Sequence, residues 1–455
     1  MESVKLPEVQ GTVQKGKLFR ILGVGFGIAV IVGGTIGAGI LRMPGVVASQ
    51  FENTWLILLI WTLAGAYSLL GALSLTELGT MLPQAGGFYV YARRAFGEYV
   101  GFVVGCADWF NNCAAPAYVS IIFGEYLIKL VPAFSSYVKA IAILMLLGFA
   151  LLQWMGIQLS SRAQELTSLV KALSFLVLVA ACFVFGAKDD AMSPASSASP
   201  LPSTPTAFFL AVVIALQAVI VTYDGYHSAI YFTEEDRDPA YNLPRAMIGG
   251  VLSVIAIYLL VNLALLHTLP LPQLAASKLA AADAAQRIFG VQGERWITVL
   301  GLVTLLPLMN ALLLIASRIP FAMGRDQLFF SKATLVNAGG TPGVALIASV
   351  LLAVALVASG TFEKLVALSA FFVAAINCVC FAAVFVLRRR EPDLTRPFKV
   401  WGYPMTPLIV LAGSIAFLAG AVWVDTTNSL YALSLLLFSY PAYRFFRRFV
   451  SPLNS

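Results

Sequence analysis

Long apolar stretches separated by short polar segments run through the whole chain. Twelve such runs can be counted: about 20–46, 54–81, 99–131, 137–157, 164–187, 206–233, 246–268, 297–325, 341–360, 362–387, 405–424 and 429–448. A helix needs about 20 apolar residues to cross the hydrocarbon core of a bilayer. The pattern therefore predicts an all-α polytopic membrane protein with twelve transmembrane helices.

Composition agrees with this class. Of the 455 residues, 60% are hydrophobic and only 11% are charged, whereas a soluble domain is about half apolar and a quarter charged. Residues 1–19 are polar and show no cleavage site ahead of a short apolar core, so we expect no signal peptide. The protein is expected in the inner or plasma membrane of the cell.

The distribution of basic residues predicts the orientation. On the predicted spans, 20 of the 29 lysines and arginines fall at the chain ends and in the loops on one side, and 7 fall on the other. Positive residues are retained on the cytoplasmic side, so both termini are expected there. This topology accounts for the net charge of +7, which therefore does not indicate a protein that binds nucleic acid.

The apolar runs divide the chain into two similar halves with short additions. The predicted division is a cytoplasmic tail 1–19, a five-helix half 20–187, an outer Ser/Pro-rich loop 188–205, a second five-helix half 206–387, a basic inner loop 388–404, two last helices 405–448 and a tail 449–455.

The first run is long enough to span a bilayer but is unusually rich in glycine. It carries no charge from Ile21 to Leu41, yet it holds seven glycines, and four of them lie between Gly33 and Gly39. Each glycine weakens a helix by about 1 kcal/mol relative to alanine. A broken helix at membrane depth lines a cavity, where free N–H groups bind an anion and free carbonyls bind a cation. Close helix packing through Gly-x-x-x-Gly spacing is the alternative explanation.

The sixth run contains a second interruption. Asp224 and Gly225 form a turn signal in the middle of this apolar run. An aspartate costs about 2.5–3.5 kcal/mol at the bilayer centre, so its side chain is expected to face a cavity or a partner. Interrupted segments at matching places in two halves indicate a transporter site between inverted repeats.

Several stretches resemble the amino acid–polyamine–organocation family of transporters. They are Gly34–Ile40, Pro83–Tyr91, Tyr223–Glu235 with Asp238-Pro239, Asn242–Arg245, and Ser317-Arg318 through Arg325-Asp326. The resemblance implies a LeuT-type fold of five-plus-five inverted repeats with two C-terminal helices, in which helices 1 and 6 are unwound. It also implies an amino acid bound between those two helices.

The same resemblance implies roles for individual residues. The N–H groups of Gly37, Ala38 and Gly39 would bind the α-carboxylate of the substrate, and carbonyls near Thr35 and Val221 would receive its ammonium group. Tyr223, Asp224 and Tyr226 would shape the pocket for the substrate side chain. The complete set of implied substrate-binding residues is Thr35, Ile36, Gly37, Ala38, Gly39, Val221, Thr222, Tyr223, Asp224 and Tyr226.

Lys171 is a charged residue inside the otherwise apolar fifth run. In proton-coupled or sodium-independent members of the family, a lysine at this position takes the place of a sodium ion, which predicts a role in proton coupling. The alternative is a lysine that extends to the membrane surface. Asn111, Asn112 and His227 are candidates for the pocket or a gate, with hydrogen bonding between helices as the alternative.

These features predict a secondary active transporter of L-amino acids that works by alternating access, coupled to protons or independent of sodium. A polyamine or other cationic substrate, with Asp224 as its partner, and an amino acid exchanger remain open, as does a membrane amino acid sensor outside transport. Loop 130–138 has no cysteine, so no disulfide-linked heavy subunit is expected. The amino acid, protons and the lipid bilayer are the expected partners. No enzyme activity, metal site or cofactor is expected, because two isolated histidines provide no catalytic set.

Overall fold

The computed structural model describes residues 14–51, 53–186, 204–359, 362–424 and 426–449. The predicted outer loop, apart from residues 204–205, and most of both predicted tails lie outside these ranges. Within them the chain is helical, except for turns, loops and one short antiparallel pairing of strand β1 (Gln14–Lys15) with strand β2 (Leu335–Val336). The predicted all-α architecture is confirmed.

Sixteen α-helices follow one another in the described residues. They are α1 Val24–Thr35, α2 Gly39–Ala48, α3 Thr54–Met81, α4 Phe88–Phe96, α5 Glu98–Leu130, α6 Val138–Trp154, α7 Ile157–Phe185, α8 Pro205–Thr222, α9 Pro239–Thr268, α10 Leu271–Ala276, α11 Ala280–Phe289, α12 Gly293–Arg325, α13 Gly343–Ser359, α14 Phe362–Arg390, α15 Met405–Val424 and α16 Thr426–Phe449. Short 3-10 helices occupy Pro132–Tyr137, Ser228–Phe232, Gly290–Gln292 and Ser331–Thr334.

The apolar helices confirm a polytopic membrane protein. Among the described residues, nine helices are long and apolar enough to cross a membrane, and α1 with α2 makes a tenth if this bent pair is one span. Each of the twelve apolar runs contains an α-helix. Helix α13 is a shorter apolar helix of 17 residues.

Two of the runs are broken, and the breaks lie where the glycine and aspartate signals predict them. In the first run, α1 and α2 are separated by three residues and their axes differ by 52°. In the sixth run, α8 ends at Thr222 and the chain continues through turns into the 3-10 helix Ser228–Phe232. Helix α1 packs against α7, α9 and α12 at the centre of the bundle.

The segment between the second and third apolar runs contributes buried aromatic side chains to the bundle. It forms α4, whose Phe88, Tyr89 and Tyr91 side chains are buried. The helix packs against α5 and α14. Two polar side chains of α4 bind the same carboxylate. The hydroxyl of Tyr89 donates to Asp326 at 2.8 Å, and the guanidinium of Arg93 lies 2.7 Å from the same oxygen.

A cavity between two broken helices

The break in the first run exposes backbone donors. Helix α1 ends at Thr35, and Ile36 is extended, with φ −73° and ψ 103°. The N–H groups of Gly37 and Ala38 have no acceptor among the described residues. Helix α2 then begins at Gly39, and the first N–H groups of a helix have no partner within it. The break therefore carries a partial positive charge that favours an anion.

The carbonyl groups on the other side of this break are bound by a lysine. Lys171 on α7 is completely buried, and its ammonium group donates to the carbonyl oxygens of Gly33, at 2.8 Å, and Ile36. The end of a helix attracts a cation because its last carbonyls are unpaired. The alternative of a lysine that reaches the membrane surface is wrong.

Tyr258 on α9 connects the two breaks. Its hydroxyl lies 3.0 Å from the carbonyl oxygen of Thr35 and 2.9 Å from that of Thr222. Its ring packs against the rings of Trp61 and Tyr223, with centroid separations of 5.5 Å and 4.8 Å. The single proton of this hydroxyl is shared between the last carbonyls of α1 and α8, so one side chain bridges the two breaks.

The second break requires glycine at its centre. Gly225 has φ +108°, in the region that L side chains rarely adopt, and an added Cβ would lie 2.7 Å from the carbonyl oxygen of Gly34. The two broken segments therefore approach each other backbone to backbone. Next to Gly225, the Oδ1 atom of Asp224 lies 3.7 Å from Nδ1 of His227. The Asp224 side chain is 39% exposed.

A cavity of about 370 Å³ lies between these breaks and helices α3, α5, α12, α14 and α15. It is lined by eleven of the predicted site residues: Thr35, Gly37, Ala38, Gly39, Asn111, Asn112, Val221, Thr222, Asp224, Tyr226 and His227. The volume lies at the lower end of the range for small-molecule sites, roughly 300–1,000 Å³.

Three predicted site residues do not line the cavity. Lys171 lies behind the first break, and Ile36 is fully buried in the packing of the same segment. The structure places Tyr223 in the core, where its hydroxyl donates to the carbonyl oxygen of Trp61 at 3.3 Å. An irregular backbone has no fixed side-chain period, so the sequence could not tell which of the neighbouring residues faces inward.

The wall formed by α14 and its neighbours was not predicted from the sequence. Ser369 and Asn377 on α14 line the cavity, as do Tyr67 on α3 and Ser414 on α15. The hydroxyl of Tyr67 lies 2.9 Å from the carbonyl oxygen of Val410 and 3.1 Å from Oγ of Ser414. An asparagine in the tenth apolar run was the available signal, because polar residues are rare in membrane spans and face the interior.

One end of the cavity is closed by buried polar contacts. Asp108 lies on α5, one helical turn before the lining residue Asn112. Its carboxylate accepts a hydrogen bond from the hydroxyl of Tyr231, which lies 2.8 Å and 3.0 Å from the two oxygens, and another from Asn112 at 2.9 Å. Arg318 lies on α12, about one turn after the lining residue Ile315. Its guanidinium donates to both carboxylate oxygens of Glu235, at 3.0 Å and 2.9 Å. Both side chains of this ion pair are fully buried. The cavity therefore does not continue to this end of the bundle.

Comparison with known proteins identifies the family. The sequence profile described as amino acid permease matches residues 26–439. The chain belongs to the amino acid permease family. The serine/threonine exchanger SteT of Bacillus subtilis (strain 168) is 30% identical to this permease over 436 residues, which cover 94% of this chain and 96% of that protein. The resemblance noted from the sequence motifs is confirmed.

Two mammalian relatives of the permease extend the comparison. The b(0,+)-type amino acid transporter 1 of Mus musculus is 27% identical, with 92% of this chain and 87% of that protein covered. The large neutral amino acids transporter small subunit 2 of Mus musculus is 25% identical, with 94% and 81% covered. All three relatives are named as proteins that exchange or transport amino acids.

Proposed function

We propose that the protein is a secondary active transporter that carries L-amino acids across the membrane by alternating access. The observation that supports this most strongly is that both broken segments line one cavity. The unpaired N–H groups of Gly37 and Ala38 are suited to the α-carboxylate of a substrate. The carboxylate of Asp224, on the facing segment, is suited to an ammonium group.

We propose that transport does not require sodium, because Lys171 supplies the cation at the first break. Its ammonium group is bonded to two carbonyls at the end of α1, as a metal ion would be. A fully buried lysine without a carboxylate partner in the described residues can also exchange its proton during the cycle. Proton coupling through Lys171 follows as the proposed driving force.

The proposed arrangement is a LeuT-type fold with twelve spans. Residues 20–187 and 206–387 form two inverted halves, each opened by a broken helix, and residues 405–448 add two helices. The 20-to-7 distribution of basic residues supports cytoplasmic termini and insertion in the inner or plasma membrane. One relative is named a small subunit. The loop Pro132–Tyr137 contains no cysteine, so we propose that no subunit is attached there by a disulfide.

Uptake by purified protein in liposomes tests the proposal. Labelled amino acids and polyamines are offered in sodium-free buffer, with and without an inward proton gradient. The variants are Lys171→Ala, Lys171→Arg and Lys139→Ala, the last being an exposed lysine on α6. Arginine retains the charge but does not release a proton. We expect uptake to rise with the gradient in the wild type and in Lys139→Ala, and to lose this dependence in Lys171→Arg.

Other outcomes select other functions. Uptake that ignores the gradient and requires unlabelled substrate inside the liposome indicates an exchanger in which Lys171 is a fixed cation. Uptake of polyamines alone indicates a cationic substrate, and Asp224→Asn should then abolish it. Substrate binding, detected as a rise in melting temperature, without any uptake contradicts transport and supports a sensor.

A further inference from the structure

A stripe of polar side chains runs along the face of α7 that meets α1. Gln164, Ser168 and Lys171 occupy positions i, i+4 and i+7, which share one face of a helix. All three residues are buried. They lie inside an apolar span, where polar side chains face the interior and bond to neighbouring helices. The stripe therefore has to find its partners on the helices packed against α7.

The partners on α1 are carbonyl groups with the same spacing. The carbonyl oxygen of Ala29 accepts hydrogen bonds from Ser168 at 2.7 Å and from Gln164 at 3.3 Å. The carbonyls about one and two turns further along α1 accept from Lys171. The two carbonyls that receive the lysine thus continue a row of contacts between α7 and α1.

The helices approach each other most closely at Gly33, whose own carbonyl binds Lys171. An added Cβ at this glycine would lie 2.3 Å from Nε2 of Gln164 and 2.4 Å from Oγ of Ser168. It would also lie 3.0 Å from Cβ of Pro307 on α12. Because side chains this closely packed transmit displacements to their neighbours, the position of Gln164 affects the position of the carbonyl to which Lys171 bonds.

Three buried carboxamides extend this contact to α12 and α6. The Nδ2 group of Asn310 donates to Oε1 of Gln164 at 2.9 Å and to the carbonyl oxygen of Ser160 at 3.0 Å. The Nε2 group of Gln153 donates in turn to Oδ1 of Asn310 at 3.2 Å and to its backbone carbonyl at 3.0 Å. Gln153, Asn310 and Gln164 form a carboxamide chain in which each side chain donates to the next and the last donates to α1.

The carboxamide chain constrains geometry in a way that apolar packing does not. The two ends of a carboxamide differ, because one donates and the other accepts, so each link fixes the orientation of the next side chain. Burial makes a broken link costly. A movement of α1 alone by about 1 Å would stretch its bonds to α7 beyond hydrogen-bond distance. The three carboxamides are not among the described residues that line the cavity, so they act on the site through α1.

We propose that Gln164, held by Asn310 and Gln153, is a positioning residue that places the carbonyls at the end of α1 where Lys171 bonds to them. The carboxamide chain thereby makes the bonding of this lysine depend on α6 and α12, which contribute no bond to its ammonium group in the described residues. The inference rests on the proposed function, because it concerns the lysine to which proton coupling is assigned.

Reductive methylation of lysines, mapped by mass spectrometry, tests the positioning without any transport. The reaction requires an accessible amine, and Lys171 is buried and bonded whereas Lys139 is exposed. In the wild type we expect methylation at Lys139 and protection at Lys171. Gln164→Leu should raise the rate at Lys171 about tenfold and leave the rate at Lys139 unchanged. Gln158→Leu, which replaces an exposed glutamine on the same helix, should leave both rates unchanged.

A double variant separates a connected chain from independent contacts. Asn310→Leu should also raise the rate at Lys171, and combining it with Gln164→Leu should raise the rate no further than Gln164→Leu alone. Additive increases overturn the chain. Full protection of Lys171 in folded Gln164→Leu overturns the positioning role. If that variant does not fold, Ser168→Ala removes the 2.7 Å bond to Ala29, and an unchanged rate in Ser168→Ala overturns the role equally.

Uptake measurements distinguish this inference from the proposed function. Gln164→Leu should reduce the ratio of uptake with the proton gradient to uptake without it. The half-saturating substrate concentration should stay within about twofold of the wild type, because the cavity lining is unchanged. A wild type without uptake contradicts transport, whereas the methylation rates still decide the positioning. Faster methylation of Lys171 with an unchanged ratio supports the positioning and contradicts proton coupling through this lysine.

Discussion

Replacing Tyr258 by phenylalanine tests whether one hydroxyl holds the two broken helices together. The ring would remain packed against Trp61 and Tyr223, so the change removes only the oxygen. That oxygen is the hydrogen-bond partner of the carbonyls of Thr35 and Thr222. Both residues are buried, with 4% and 7% exposure. A buried carbonyl left without a partner costs about 1–3 kcal/mol.

The expected loss in the free energy of unfolding for Tyr258→Phe is therefore about 1–3 kcal/mol, because the hydroxyl has one proton to share between the two carbonyls. It can be measured by denaturant titration of the purified protein in micelles. Tyr91 offers a matched control, because its hydroxyl is fully buried and has no hydrogen-bond partner in the described part of the chain. Tyr91→Phe should be neutral or slightly stabilising. If the two variants lose the same stability, the hydroxyl of Tyr258 does not link the breaks.

Two further substitutions address the second break and the closed end of the cavity. Gly225→Ala adds a Cβ close to the carbonyl of Gly34 at φ +108°, so we expect about 3 kcal/mol of lost stability in the same titration. Gly148→Ala, in an α6 position with open space around it, should instead gain up to about 1 kcal/mol, and a similar loss in both would refute the steric argument. Arg318→Met leaves the carboxylate of Glu235 buried and unpaired, which should cost about 3–5 kcal/mol. Adding Glu235→Gln should recover part of this loss, and no recovery would mean that the ion pair is not its source.

The sequence predicts the elements of this protein better than it predicts which side chains meet. Run length and apolar composition identify the helices because a bilayer demands both. The glycines of the first run and the pair at Asp224 and Gly225 locate the breaks, since these residues disfavour continuous helix. Lys171 could be singled out as a charge in an apolar span. Each of these signals is local.

Long-range contacts carry no comparable signal. Tyr258 is one tyrosine in a long apolar helix, and its importance arises from two carbonyls that are far away in the chain. Asn377 becomes a site residue because α14 turns it towards the cavity. Tyr223 was placed in the pocket, although the irregular backbone directs it into the core. Whether a side chain faces the cavity or the core depends on how the helices pack, and composition does not determine this packing.

The bonding of Lys171 has an electrical consequence. Its positive charge is attached to α7 by a covalent side chain and bonded to the end of α1, so it cannot leave with the substrate. While this lysine keeps its proton, a zwitterionic amino acid crosses the membrane without net movement of charge. A membrane voltage of 100 mV supplies about 2.3 kcal/mol for each charge that crosses. A sodium-coupled carrier can draw on that energy. Under the proposed sodium-independent cycle, a substrate that crosses while Lys171 keeps its proton draws none of it, whereas a cycle in which the lysine exchanges its proton does.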